Sequence, residues 1–286
     1  MTTFRLPEQT HAALLSRTIP ADQPLDAWPL DVPDGTTGSL RAACLDITRR
    51  LREKEGWVVV ETGLADLDDA QLSSAAWNLF TVLCRPVPQY RTGELMYPVE
   101  VSAAPTLASS HYSSSSRTGG FHTDGTLLDS APDVAMLAGL SAADEGGETV
   151  LVDVDGLVAA LAERAPEHLA VLEKSHPFHS GDSADDPVML HQIVTHTESR
   201  TQVRYLRRYI EQGHQAQGRA VDGELVAALD AWDELIAQPV NQVPVLIGRG
   251  QVLLWDNFRF VHGRTPFTER LHRRRLRRGY GLLRTA

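Results

Sequence analysis

Three side chains have the types and the spacing that bind a metal ion. His122 and Asp124 lie two residues apart in the stretch GGFHTDG, and His262 lies in WDNFRFVHGR. Residues i and i+2 of a strand project to the same side, so His122 and Asp124 would present an imidazole and a carboxylate together. Two histidines and one carboxylate fill three positions of a non-haem Fe(II) site and leave the others for substrate and oxygen. A lone histidine on an apolar face is more often an ordinary core residue, so the metal interpretation depends on all three.

The segments that carry these residues have the pattern of strands. Short apolar or alternating runs bounded by glycine and proline predict strands in FHTDGTLL, DVAMLAGL, ETVLVD, QVLLWD and FRFVHGR. Apolar residues at helical spacing predict helices in LRAACLDITRRLREKEG and in much of the stretch from 155 to 245. We therefore expect one domain over residues 1–286, with a β core, helices packed outside it, and an insertion at roughly 155–245.

Composition and charge exclude several classes of function. The formal net charge is −10 and the sequence pI is about 5.5, so the chain lacks the basic footprint of a nucleic-acid-binding protein or of a protein held on an anionic membrane. No stretch approaches the roughly 18 consecutive apolar residues that a membrane helix needs. The first residues lack a basic segment followed by an apolar run, so we expect a cytoplasmic protein. Nothing in the sequence predicts its oligomeric state.

An arginine-rich segment near the C-terminus is a second candidate for chemistry. The run RRRLRR at 273–278 reads as a strand, in which Arg274, Leu276 and Arg278 share one face. A guanidinium holds a carboxylate bidentately and stays charged at any ordinary pH. Such a run is also typical of a solvated edge strand that discourages sheet pairing. An error of one residue in register would exchange this face for the one that carries Arg273 and Arg277.

Taken in order, these blocks resemble a known superfamily. The sequence HTDG, then GGETVLVD, then WDNFRFVHGRTPF and the arginine-rich strand is similar to the taurine dioxygenase and clavaminate synthase-like enzymes. These are Fe(II)- and 2-oxoglutarate-dependent oxygenases. The resemblance covers roughly residues 89–282 and is strongest in three short blocks. It implies a double-stranded β-helix core, of the jelly-roll or cupin-like type, and Fe(II), 2-oxoglutarate and O2 as cofactor and cosubstrates.

The resemblance also implies roles for individual residues. His122, Asp124 and His262 would bind the iron. Arg274 and the hydroxyl of Thr149 would hold the C5 carboxylate of 2-oxoglutarate, and Arg278 would hold its C1 carboxylate or an anionic group of the substrate. The intact carboxylate at Asp124 favours hydroxylation over halogenation, with desaturation, epoxidation or ring formation as variants. The residues that we expect to contact substrate are Tyr97, His111, Phe121, Leu127 and Arg278.

The expected substrate is a small polar molecule, often an amino acid or a derivative of one in specialised metabolism such as antibiotic biosynthesis. Two alternatives stay open at the level of sequence. One is a hydrolase or isomerase that uses the same three ligands, and the other is a binding protein that keeps the barrel without turnover. Arg264, two residues after His262, would either orient a neighbouring group or be a surface charge.

Overall fold

The computed structural model describes residues 2–53, 55–90, 92–101, 119–183, 185–198 and 200–284. Its helices are α1 (His11–Leu14), α2 (Gly38–Glu53), α3 (Asp69–Leu83), α4 (Val154–Arg164), α5 (Pro166–Leu172), α6 (Arg207–Ala216) and α7 (Gly223–Ala237). The strands up to the insertion are β1 (Thr3–Arg5), β2 (Trp57–Glu61), β3 (Cys84–Val87), β4 (Met96–Val99), β5 (Gly119–His122), β6 (Val134–Ser141), β7 (Glu145–Gly146) and β8 (Thr149–Asp153). The later strands are β9 (Ser175–Phe178), β10 (Met189–Gln192), β11 (Val194–His196), β12 (Thr201–Val203), β13 (Gln242–Val245), β14 (Gln251–Asp256), β15 (Phe260–Arg264), β16 (Phe267–Thr268) and β17 (Arg275–Leu283).

Two sheets form the centre of the molecule. The larger has the order β1-β2-β14-β6-β17-β3, with β4 also paired to β17, and the smaller has the order β13-β8-β15-β5. Strands β6 and β14 are nearly continuous apolar runs, as expected of strands covered on both faces. Between the sheets lies an apolar cluster to which Leu137 and Trp255 contribute from the larger sheet and Leu151 and Phe260 from the smaller.

Helices α2 and α3 cover the outer face of the larger sheet. Helix α3 begins with a capping box, in which the Asp68 carboxylate accepts the Gln71 backbone N–H and the Gln71 side chain accepts that of Asp68. Its Trp77 and Phe80 are fully buried in the same cluster as Met136 of β6. These helices fix the sheet from behind and leave its other face for the cavity.

The predicted insertion covers the outer face of the smaller sheet. The chain leaves this sheet after Asp153, forms α4 to α7 and β9 to β12, and returns at β13. Val152 and Val261 of the sheet pack in one cluster with Trp232 of α7. Because β13 pairs with β8, the core resumes at Gln242, slightly before the predicted boundary at 245. Within the described ranges, no helix is both long and apolar enough to cross a membrane.

Candidate metal centre and adjoining cavity

His122, Asp124 and His262 converge at one place on the smaller sheet. β5 and β15 are antiparallel neighbours, and their register sets His122 directly opposite His262, with ring centroids 4.3 Å apart. Asp124 follows the end of β5 and turns its carboxylate toward both rings. One ligand atom from each residue lies within 4.8 Å of the other two. Asp124 and His262 are 3% and 7% exposed, so the cluster is inside the molecule.

The orientation of these groups fits a cation. Nδ1 of His122 lies 2.8 Å from the Gly120 carbonyl oxygen, which assigns the proton to Nδ1 and leaves the lone pair of Nε2 for a ligand. Nε2 of His262 lies 3.6 Å from Oδ2 of Asp124. Within the described part of the chain, that buried Oδ2 accepts no hydrogen bond. Buried acceptors without a donor are rare, and a metal ion between the three groups would satisfy this one.

The charges of the three groups are those of a metal site. Burial lowers the pKa of His262 to about 3 and also lowers the pKa of His122, so both rings are neutral at pH 7. Burial alone would raise the pKa of Asp124, but the positive charge of Arg278 and the hydrogen bond from the Tyr280 hydroxyl favour the carboxylate and hold its pKa below the usual value. Two neutral imidazoles and one carboxylate are the donor set of a non-haem Fe(II) site.

Two residues that hold Asp124 were not identified from sequence. The Tyr280 hydroxyl donates a hydrogen bond to Oδ1 of Asp124, which leaves Oδ2 facing the histidines. The fully buried side chain of Asn257 accepts the Asp124 backbone N–H at 2.8 Å and donates to the Asp124 carbonyl at 3.0 Å. Strand parity could have found Tyr280, because it shares a face with Arg278. The sequence position of Asn257 carries no signal for this clamp.

Arg278 is held rigidly beside this cluster. Its Nε donates to Oε1 of Gln89 and its Nη2 to the Tyr90 hydroxyl, both at 2.7 Å. The guanidinium carbon lies 5.0 to 5.7 Å from the ring centroids of Tyr90, Tyr97 and Tyr280. Burial opposes its charge, but the two tyrosines Tyr280 and Tyr90 and the nearby Asp124 more than offset this and raise its pKa. A fixed cation therefore lies next to the metal centre, with Gln89 and Tyr90 as partners that the sequence did not reveal.

Arg274 occupies a second cationic position, just before β17. Its Nε donates to the Gly147 carbonyl at 3.0 Å. Gly147 has a positive φ of 80°, and a Cβ there would lie only 2.9 Å from Cδ of Arg274. The second glycine of the GGET block therefore makes room for this arginine. Burial, and then repulsion from Arg264, lowers the pKa of Arg274 to about 9, which still leaves it charged at pH 7.

The metal-ligand candidates and the two arginines line one cavity of about 560 Å³ between the sheets. Thr149, Arg264, Arg274 and Arg278 face it together with the three metal-ligand candidates. On the arginine strand, Arg274 and Arg278 are buried while Arg273 is exposed, which is the face assignment expected from parity. The insertion closes the outer end of the cavity with residues that the sequence did not single out, namely Ser180, Asp182, Asp186, Pro187, Met189, Arg208 and Tyr209.

Only some of the residues predicted to contact substrate line the cavity. Tyr97 and Leu127 line the cavity. Phe121 packs against the apolar cluster of the insertion and is not among the lining residues, so the structure does not bring its side chain to the cavity. The reason is strand alternation: Phe121 precedes His122, so the two side chains project to opposite faces. His111 lies outside the described residues.

Comparison with known proteins agrees with this geometry. The family model "Taurine catabolism dioxygenase TauD, TfdA family" matches residues 20–280. The chain belongs to this family. This is the family that the sequence blocks resemble, and the His122, Asp124 and His262 cluster is a donor set that would fit a metal ion.

Individual relatives are distant in sequence. A trimethyllysine dioxygenase of Meyerozyma guilliermondii is 28% identical over 154 residues, which are 51% of this chain and 38% of that protein. The chain thus matches little more than a third of the length of this curated relative.

Among solved structures, the chain is similar to an asparagine oxygenase in complex with Fe(II), 2S,3S-3-hydroxyasparagine and succinate (TM-score 0.71, 16% identity, covering 99% of this chain and 94% of that one). It is also similar to the non-heme iron oxygenase OrfP in complex with Fe, succinate and (3S)-hydroxy-L-Arg (TM-score 0.65, 15% identity, 99% and 94%). At such identities these matches establish the fold, a mixed α/β fold of the TauD-like oxygenase type.

Proposed function

We propose that the protein is an Fe(II)- and 2-oxoglutarate-dependent hydroxylase of a free amino acid or a small amino-acid derivative. The observation that carries the proposal is the convergence of His122, Asp124 and His262 at the inner end of one cavity that Arg274 and Arg278 also line. A hydrolase or isomerase built on the same ligands would have no use for one buried arginine beside the metal and another at a separate place in the same cavity.

The residues divide into those that would hold the metal and those that would hold the cosubstrate. His122, Asp124 and His262 would bind iron through Nε2, Oδ2 and Nε2. When bound, Fe(II) supplies the activation of O2, with 2-oxoglutarate converted to succinate and CO2. Arg274 and the buried Thr149 hydroxyl would hold the C5 carboxylate of 2-oxoglutarate at the end of the cavity away from Arg278.

Arg278 would hold the C1 carboxylate of 2-oxoglutarate or the carboxylate of the substrate. Its contacts with Gln89 and Tyr90 fix it before any ligand enters, so little order is lost on binding. The apolar neighbours Trp255 and Leu137 line the same cavity and exclude water from the reacting groups.

An amino-acid substrate agrees with the chemistry of the outer cavity. Asp182 and Arg208 come from the insertion and line the cavity with opposite charges, which suits a zwitterion. The relatives whose names give a substrate point the same way, since they are an asparagine oxygenase and a trimethyllysine dioxygenase.

Several finer features belong to the same proposal. We infer that the two facing sheets form a double-stranded β-helix and that the chain is one domain whose insertion builds the substrate end of the cavity. We also propose a cytoplasmic enzyme of specialised metabolism, and the acidic composition favours one that binds neither nucleic acid nor membranes.

The test is the visible spectrum of the protein with Fe(II) under anaerobic conditions, before and after addition of 2-oxoglutarate. Appearance of a weak charge-transfer band would establish the bidentate cosubstrate, and succinate formation would then be screened with asparagine, arginine, trimethyllysine and taurine. A protein that holds iron but gives no band and forms no succinate with any of them would favour the hydrolase or isomerase instead.

A further inference from the structure

Arg264 is placed by the sheet to face the same cavity as the metal ligands. It lies two residues after His262 on β15, so the two side chains share a face of the strand. The register sets Arg264 opposite Thr149 of β8, as it sets His262 opposite Leu151. Arg264 is 8% exposed and lines the cavity. This excludes the surface charge that the sequence had left open.

Arg264 and Arg274 meet at one aromatic ring. The guanidinium carbon of Arg264 lies 4.9 Å from the Phe267 ring centroid, and that of Arg274 lies 5.5 Å from it. The two arginines thus bring two buried positive charges to one end of the cavity. Glu269 attracts both, but its carboxylate also accepts the backbone N–H of Arg274 at 2.7 Å.

Glu269, and for Arg274 also Glu148, offset part of the repulsion between the two buried charges, and a bound anion between the guanidiniums would offset more of it. The end of the cavity near Arg264 and Arg274 is also lined by Thr149. A hydroxyl and two planar guanidiniums are hydrogen-bond donors suited to a carboxylate. The other cation of the cavity, Arg278, is engaged by Gln89 and Tyr90 beside the metal centre. The cavity therefore carries positive charge at two separate places, as a dicarboxylate requires.

We propose that Arg264 is a second cosubstrate-binding arginine, which shares the C5 carboxylate of 2-oxoglutarate with Arg274. The inference rests on the proposed function and extends it by one residue. It assigns to the arginine of the HGR block a role in selecting a dicarboxylate over a monocarboxylate 2-oxo acid.

The test compares two ligands that differ only at the distal end. Anaerobic Fe(II) protein is titrated with 2-oxoglutarate and with 2-oxopentanoate, which has the same five carbons but no C5 carboxylate, and the charge-transfer band gives each Kd. The variants are Arg264→Gln, Arg264→Lys and, as a positive control, Arg274→Gln. Arg259→Gln is the matched negative control, because Arg259 comes from the same strand region but faces away from the cavity and pairs with Asp153 at 2.6 Å. Circular dichroism checks that each variant is folded.

We expect Arg264→Gln to weaken 2-oxoglutarate roughly 10- to 100-fold, the range for loss of a hydrogen bond to a charged group, and to leave 2-oxopentanoate unchanged. Arg264→Lys should recover part of the loss, and Arg259→Gln should show none. Equal weakening of both ligands, or of neither, would overturn the proposal and leave Arg264 as a packing residue on Phe267. If the wild-type protein with iron bound neither 2-oxo acid, the proposed function itself would fail.

Discussion

The two ends of the cavity are built in different ways. At the inner end, the groups come from strands or from residues next to them, and His262 and Asp124 have side chains only 9% and 2% exposed. At the outer end, the groups come from the insertion, and the side chains of Arg208 and Asp182 are 36% and 49% exposed. The inner groups are fixed by sheet register and by buried hydrogen bonds. At the outer end, Arg208 pairs with Asp182 at 3.8 Å and donates to Gln212 at 3.3 Å and to the Ser180 carbonyl at 3.4 Å, and these long contacts lie on half-exposed side chains.

This difference indicates that the inner end determines the reaction and that the outer end determines which substrate is bound. A strand fixes the direction of every second side chain, so a metal ligand and its supporting groups keep their geometry when loops change. A loop that lies on the surface can vary without disturbing the sheet. We therefore expect substitutions at the inner end to abolish iron or cosubstrate binding, and substitutions at the outer end to alter only the substrate.

The largest effect is expected from the metal ligands. His262→Ala or Asp124→Ala should lower iron affinity by more than about 100-fold, beyond the loss typical of supporting residues, and should remove succinate formation. Iron content after anaerobic reconstitution measures the change. His196→Ala is the control, because His196 is exposed and pairs with Glu173 away from the cavity. Full iron binding by either ligand variant would contradict the assignment of the triad.

The sequence predicted part of the inner end because strand alternation is a local rule. The alternation of Arg274, Leu276 and Arg278 specifies which of these side chains lie together, and by the same rule Phe121, next to His122 on β5, faces away from the ligand. Asp124 lies in the turn after the end of β5, so alternation alone does not place it beside His122. The β core and the outer helices follow from apolar runs and helical periodicity, whereas the jelly-roll topology was expected only from the family resemblance.

The remainder of the site depends on contacts that are distant in sequence. Asn257 clamps Asp124 across 133 positions, and Gln89 bonds to Arg278 across 189. No local pattern encodes such pairs. Asp182 lies in a loop and Arg208 near the start of α6, 26 residues later, and only the packing of the insertion brings the two side chains to the cavity.

The second-largest effect on iron affinity is expected from Tyr280, which orients Asp124 but is not itself a metal-ligand candidate. Tyr280→Phe removes the donor to Oδ1 of Asp124 and frees this buried carboxylate to rotate. We expect a loss of about tenfold in iron affinity, in the range for residues that orient metal ligands. Competition with a chelator gives the affinity, and Tyr209→Phe, at the outer end, is the matched control. An unchanged iron affinity would mean that Asn257 alone orients Asp124.

A smaller effect is expected at the outer end. Asp182→Asn removes one charge of a half-exposed pair with Arg208, and such pairs contribute little energy. For the amino acid identified by the substrate screen, we expect KM to rise about threefold, with the Kd of iron and of 2-oxoglutarate unchanged. Steady-state kinetics and the anaerobic titration measure these separately. A change in cosubstrate affinity would show that the two ends of the cavity are coupled.

The smallest effect concerns the loop that leads into the arginine strand. The Asp144 carboxylate accepts hydrogen bonds from the backbone N–H groups of Leu271, Arg270 and His272 and from the His272 ring. These bonds, led by the one from Leu271, hold the pKa of Asp144 well below its usual range. A carboxyl with a depressed folded-state pKa stabilises the protein above its unfolded pKa of about 3.9, and this stabilisation is lost as pH falls through the folded value.

Asp144→Asn should therefore lower the unfolding temperature at pH 7, where the stabilisation is fully present, and should flatten the fall of that temperature below about pH 4, where the wild-type protein loses the same stabilisation. Thermal melts from pH 2 to 7 measure this, with Asp185→Asn as a control carboxyl in the insertion. Because the same loop leads to Arg274, cosubstrate affinity should fall by less than about threefold, the scale of a weak exposed contact. A larger loss of cosubstrate affinity would mean that this loop helps to position Arg274, in addition to Gly147 and the sheet.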